Sequence, residues 1–93
     1  NSDNLPDFEY PYMVAYPNPT DGQFTLLLNA NKGKKAKIEL FDALGSPIKT
    51  LFVGEVTTTR LEFDISDVSS GVYFLKISQD GTVKILKIIK INK

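Results

Sequence analysis

Four lysines, Lys84, Lys87, Lys90 and Lys93, stand three apart among aliphatic residues in the stretch GTVKILKIIKINK, and no acidic residue follows Asp80. Ammonium groups on long stems suit a carboxylate-lined partner. They equally suit an exposed strand edge that must be kept from pairing with strangers, a task for which lysine is the usual residue. Residue type and spacing leave both readings open.

The other reactive side chains form no catalytic set. Ser46, Ser66, Ser69, Ser70 and Ser78 lack a histidine to activate them, because the chain contains none, and no Ser-Lys pairing stands out. The commonest general base and metal ligand is therefore missing. There is no cysteine, which excludes disulfides and thiolate metal sites and suits a protein that must cross an envelope unfolded. Asp64 and Asp67 offer two carboxylates for a calcium ion, but Asp and Ser in DISDVSS read better as a self-capping turn. The glycines are isolated turn residues and make no phosphate-binding loop. We expect no enzymatic activity, no metal, no cofactor and no small-molecule substrate. Phe8, Tyr10, Tyr12 and Tyr16 form an aromatic row that could stack on sugar rings; a share in the core is the plainer reading.

Eleven basic residues balance eleven acidic ones, unlike the positive excess of a nucleic-acid binder. The balance hides an asymmetry. Asp3, Asp7 and Glu9 make the beginning acidic, and the lysines make the last stretch basic. Ninety-three residues make one domain. A chain of this size buries roughly 60 % of its unfolded surface. No apolar run reaches the length of a membrane-spanning helix. The first residue is Asn1 and no signal peptide is visible, so the sequence is expected to be a piece of a longer protein.

Positioning these residues falls to strands. QFTLLLN puts Phe24, Leu26 and Leu28 on one side of an extended chain, and AKIELFD does so with Ala36, Ile38 and Leu40, leaving Lys37 and Glu39 opposite. RLEFDI sets Leu61, Phe63 and Ile65 against Arg60, Glu62 and Asp64. This period of two marks strands with one wet face. PIKTLFV, GVYFLKIS and TVKILKIIKI read as further strands. The separators PNPTDG, NKGKK, DALGSP, DVSSG and QDG are clusters of turn residues. Asp80-Gly81 predicts a tight hairpin, and FDALGSPI one with a longer loop closed at Gly45. About seven strands with turns every 8–12 residues predict an all-β, immunoglobulin-like antiparallel β-sandwich. Residues 1–12, acidic and containing Pro6, are expected to be a linker, and 13–93 the domain. DVSSGVY suggests a tyrosine corner, with the Tyr73 hydroxyl bonding backward. In the last strand Lys87 falls in phase with Ile85 and Ile89, which predicts a bulge near Leu86–Ile88.

Four stretches together resemble a known family. YPNPTDGQFTLLL, KIELFDALGSPIKT, FDISDVSSGVYFLKI and GTVKILKIIK are similar, in order, to the motifs of the type A C-terminal sorting domain of the type IX (Por) secretion system of Gram-negative bacteria. The resemblance covers residues 13–93. It implies a non-catalytic domain at the end of a secreted cargo, read by the outer-membrane secretion machinery and removed by a sortase-like peptidase. The cargo would pass through the periplasm and outer membrane to the cell surface or the medium. By position, Pro17, Asn18, Pro19 and Gly22 match the opening turn, Asp42 and Gly45 the central hairpin, and Gly71 and Tyr73 the second-last strand. Lys84, Lys87, Ile88, Ile89 and Lys90 match the terminal stretch that carries most of the family's targeting information, and with Gly71 and Tyr73 they are the residues the resemblance implies the translocon recognises. Ser46-Pro47 departs from the polar or basic residue usual after Gly45. An exposed edge could also pair with a second copy. A carbohydrate-binding or adhesive accessory sandwich is the alternative function.

Overall fold

The computed structural model describes residues 12–29 and 33–92, and there the period-two segments all become strands. The strands are β1 (Tyr12–Tyr16), β2 (Gln23–Asn29), β3 (Lys35–Asp42), β4 (Pro47–Glu55), β5 (Arg60–Asp64), β6 (Gly71–Gln79) and β7 (Thr82–Lys90). Every strand pairing is antiparallel. One sheet has the order β1-β2-β5 and the other β4-β3-β6-β7. This is the expected immunoglobulin-like sandwich, with the fourth strand beside the third rather than on the smaller sheet.

Alternation builds the core. Phe24, Leu26 and Leu28 of the smaller sheet and Ala36, Ile38, Leu40, Tyr73, Leu75, Ile77 and Ile88 of the larger are all buried. Val56 and Ile65, just outside the strands, complete the cluster. Burying each large aliphatic side chain contributes roughly 1.5–3 kcal/mol, and no covalent staple supplements this core, since the chain has no cysteine. Leu61 and Phe63 are only half-buried, because β5 lies at an edge of its sheet.

The turns follow their chemistry. Asp80 (φ 52°) and Gly81 (φ 82°) both take the left-handed conformation between Gln79 and Thr82, as a two-residue hairpin of type I′ demands. At the β3–β4 turn, Asp42 Oδ1 accepts the N–H groups of Leu44 and Ser46, each at 2.9 Å, and the Asp42 carbonyl accepts that of Gly45 at 3.0 Å. Pro47 then opens an edge strand, where a residue without an N–H is tolerated.

One strand goes beyond the segments named from the sequence, and one expectation is overturned. The segment YMVAY, too short to show a clear period, forms β1. The bulge foreseen in the last strand is not there: β6 and β7 pair without a break from Gly71↔Lys90 to Gln79↔Thr82. The register shifts fall between β3 and β4 instead, where Leu51 and Ile48 are the unmatched residues. β7 needs no flip because the outer face of its sheet is itself part apolar, with Phe41, Val72 and Phe74 beside Ile85 and Ile89.

Candidate functional site

An unbroken β7 sorts its lysines by parity. Lys84, Leu86, Ile88 and Lys90 share the inner face, while Val83, Ile85, Lys87 and Ile89 share the outer one. The four lysines of the sequence pattern therefore do not form a single row. Lys84 is exposed at the far end of the sheet, opposite Ile77. Lys87 is exposed on the outer face, opposite Phe74. Lys90 is 4 % exposed, and its Nζ donates to Asn92 Oδ1 at 3.2 Å. Lys93 lies outside the described residues.

The opening turn meets the end of β7. Asn18 Nδ2 donates to the Lys87 carbonyl at 2.7 Å, and Asn18 Oδ1 accepts the Ile89 N–H at 2.9 Å. One side-chain amide thus does for β7 what a neighbouring strand would do. Thr20 continues the seam with its backbone. Its N–H donates to the Ile89 carbonyl and its C=O accepts the Ile91 N–H, both at 2.8 Å. The pairing is a parallel bridge between Thr20 and Lys90. The Tyr16–Pro17 and Asn18–Pro19 peptides on either side of Asn18 are cis.

The same loop is held from within. Thr20, 1 % exposed, donates its hydroxyl to the Gln23 carbonyl at 2.7 Å and accepts the Gly22 N–H at 3.0 Å. Gly22 has φ +140°, and a Cβ there would stand 2.7 Å from Ser66 Cβ, so no other residue fits without displacement. The Gly22 carbonyl accepts the Ile65 N–H at 2.7 Å, tying the loop to the end of β5.

The remaining motif residues lie along the same end of the larger sheet. Asp42, Tyr73 and Ile88 form one register row across β3, β6 and β7, and Phe41, Phe74 and Lys87 form the next. Gly71 pairs with Lys90. The Tyr73 hydroxyl donates to the Ser69 carbonyl at 2.6 Å, the backward bond of a tyrosine corner. Gly45 sits at the tip of the adjoining turn. Pro17, Asn18, Pro19, Gly22, Asp42, Gly71, Tyr73, Lys87, Ile88, Ile89 and Lys90 are thus brought to one end of the fold, and Lys84 is not. Sequence reasoning passed over Thr20 as a turn residue; its hydroxyl between Pro19 and Gly22 was the available signal.

Outer-face electrostatics are mostly positive. Lys37, Lys76 and Lys87 accompany Glu39, which pairs with Lys37 at 3.5 Å, while Lys76 stands over the Phe41 ring at 5.8 Å. Asp64 serves its turn: Oδ1 accepts the N–H of Ser66 at 2.8 Å and also its hydroxyl. These bonds from Ser66 hold its carboxyl below the usual range. Asp67 is lowered by its hydrogen bonds with Lys49, at 2.8 and 3.0 Å. Of the aromatic row, Phe8 and Tyr10 lie outside the described residues, as do residues 1–11 of the expected 1–12 linker, whose last residue, Tyr12, opens β1, and Tyr16 is partly exposed at the end of that strand.

A family model described as "secretion system C-terminal sorting domain" matches residues 14–92. No curated protein matches the chain at a significant level.

Proposed function

The chain belongs to the secretion system C-terminal sorting domain family, and on that premise we propose how its type IX export signal is displayed and used. Membership makes the domain a type IX secretion sorting signal that engages the type IX machinery and marks its protein for secretion or the cell surface. The family is one of signals rather than catalysts.

The recognition surface is the C-terminal half of β7 with the loop that seals it. Exposed Lys87 and half-buried Ile89 present the address directly, buried Ile88 and Lys90 hold that strand in register, and Gly71 and Tyr73 complete the recognition site on the neighbouring strand. Lys84 contributes from the other end of the same strand. Pro17, Asn18, Pro19, Gly22, Asp42 and Gly45 are structural, keeping the two turns that frame this end. The observation that carries this reading is the Asn18 amide bridging Lys87 and Ile89, at 2.7 and 2.9 Å. It makes the opening and terminal motifs one object in space. Exposed Lys87 supplies charge beside half-buried Ile89, a combination fitted to an acidic, partly apolar partner.

We further propose type A membership for the domain, spanning 13–93. A sortase-like peptidase removes it by cutting within 1–12, after passage through the periplasm and outer membrane of a Gram-negative cell. The cargo is then anchored or released. Export of a reporter tests the reading. Fused ahead of this chain, the reporter reaches the surface or medium of a cell that has the type IX machinery, and it stays in the periplasm when Ile85–Lys93 is deleted or the machinery is missing. Equal export in all three cases contradicts it.

A further inference from the structure

We infer that the N-terminal half of the β7 free edge, from Val83 to Lys87, receives an extended, carboxylate-bearing segment of the secretion machinery as an added strand. The inference rests on the sorting reading above and extends its contact from the sealed end of β7 along the open half of the same strand.

Hydrogen-bond parity defines the open groups. In an antiparallel pair, residues alternate between those that bond to the partner strand and those that point away from it. The Ile89 N–H and C=O point away from β6, toward Asn18 and Thr20. The residues in phase with Ile89 on β7 are Val83, Ile85 and Lys87, so their backbone groups point to the same side. The Lys87 carbonyl is taken by Asn18. Among the described residues nothing bonds to the N–H and C=O groups of Val83 and Ile85 or to the N–H of Lys87 on that side.

Edge strands are usually blunted by proline, bulges, covering loops or charge. Here a latch made by Asn18 and Thr20 seals the edge only from the Lys87 carbonyl onward. The remainder is unbroken in register, and Val83 and Ile85 are 54 % and 53 % exposed. A row of open donors and acceptors beside two exposed β-branched side chains is what strand addition uses. Charge selects the occupant. β7 contains no Asp or Glu, and exposed Lys84 and Lys87 flank Ile85 on opposite faces. A second copy would bring like charge to like, whereas a strand bearing carboxylates satisfies both lysines.

Amide hydrogen exchange on the full chain, free and bound to purified outer-membrane secretion machinery, tests this. The Val83, Ile85 and Lys87 amides should exchange fast in the free chain and slow at least about tenfold on binding. Binding without that protection overturns the inference and leaves the sorting reading standing; failure of the whole chain to bind overturns both. A second test is Ile85→Pro, which removes an N–H unused inside the domain at a position where an edge tolerates proline. It should weaken binding about tenfold with the melting temperature unchanged, while Ile85→Thr, which keeps the N–H, should bind within about threefold of the parent. Equal binding by the proline variant contradicts the inference.

Discussion

Asn18 and Ile89, 71 positions apart, are joined by a hydrogen bond of 2.9 Å from the Ile89 N–H to the Asn18 side-chain oxygen. The same amide donates to the Lys87 carbonyl at 2.7 Å. The asparagine side chain is the shortest that carries both a donor and an acceptor in one rigid plane. Asn18→Ala should therefore leave two edge groups without their protein partner. We expect a loss of about 1–3 kcal/mol, measured by chemical denaturation. Asn18→Asp keeps the acceptor but turns an oxygen toward the Lys87 carbonyl, and it should not restore the parent value.

Gly22→Ala is expected to be more damaging than its one added methyl suggests. The residue has φ +140°, and the new Cβ would meet the Ser66 backbone and Cβ at 2.7–2.9 Å. Strain of this kind costs roughly 1–3 kcal/mol before any clash is counted. The melting temperature should fall by several degrees. Gly45→Ala, where a Cβ would meet open space, should cost less.

Tyr73→Phe separates the two tasks of that residue. The ring stays in the core and the hydroxyl bond to Ser69 is lost. We expect about 1 kcal/mol of destabilisation by denaturant titration. Export should survive, because the hydroxyl braces a turn and faces no partner.

Acid should weaken the fold through Asp64 and Asp67. Ser66 hydrogen bonds lower the first carboxyl and Lys49 the second. A group whose folded-state pKa lies below its unfolded value stabilises above the unfolded pKa, about 4, and loses that contribution as pH falls through the folded value. The melting temperature should be flat near neutrality and drop below about pH 4. Lys49→Met should lower it at pH 7 and make the acid decline shallower, which a pH series of thermal melts would read.

Much of this architecture was legible because burial in a sheet follows parity. Phe24, Leu26, Leu28, Ile38 and Leu40 were placed correctly by alternation alone. Asp80-Gly81 and Tyr73 were legible because their geometry is local. The lysines misled because a spacing of three is not a period of either strand face, so Lys84 and Lys90 turned one way and Lys87 the other. The bulge expected near Leu86–Ile88 assumed a wet outer face, whereas Phe41, Val72 and Phe74 make that face part apolar. The latch was hidden for a different reason. Asn18 in PNPT looks like any turn residue until the chain returns to it.

The central claim is that the latched end of β7 is what the export machinery reads. Lys87→Glu tests it most directly, since the side chain is exposed and only its backbone takes part in the latch. A reporter fused ahead of the full chain should be exported at least about tenfold less with Lys87→Glu, while the purified domain melts within a degree or two of the parent. Export equal to the parent from the equally stable variant would contradict the claim.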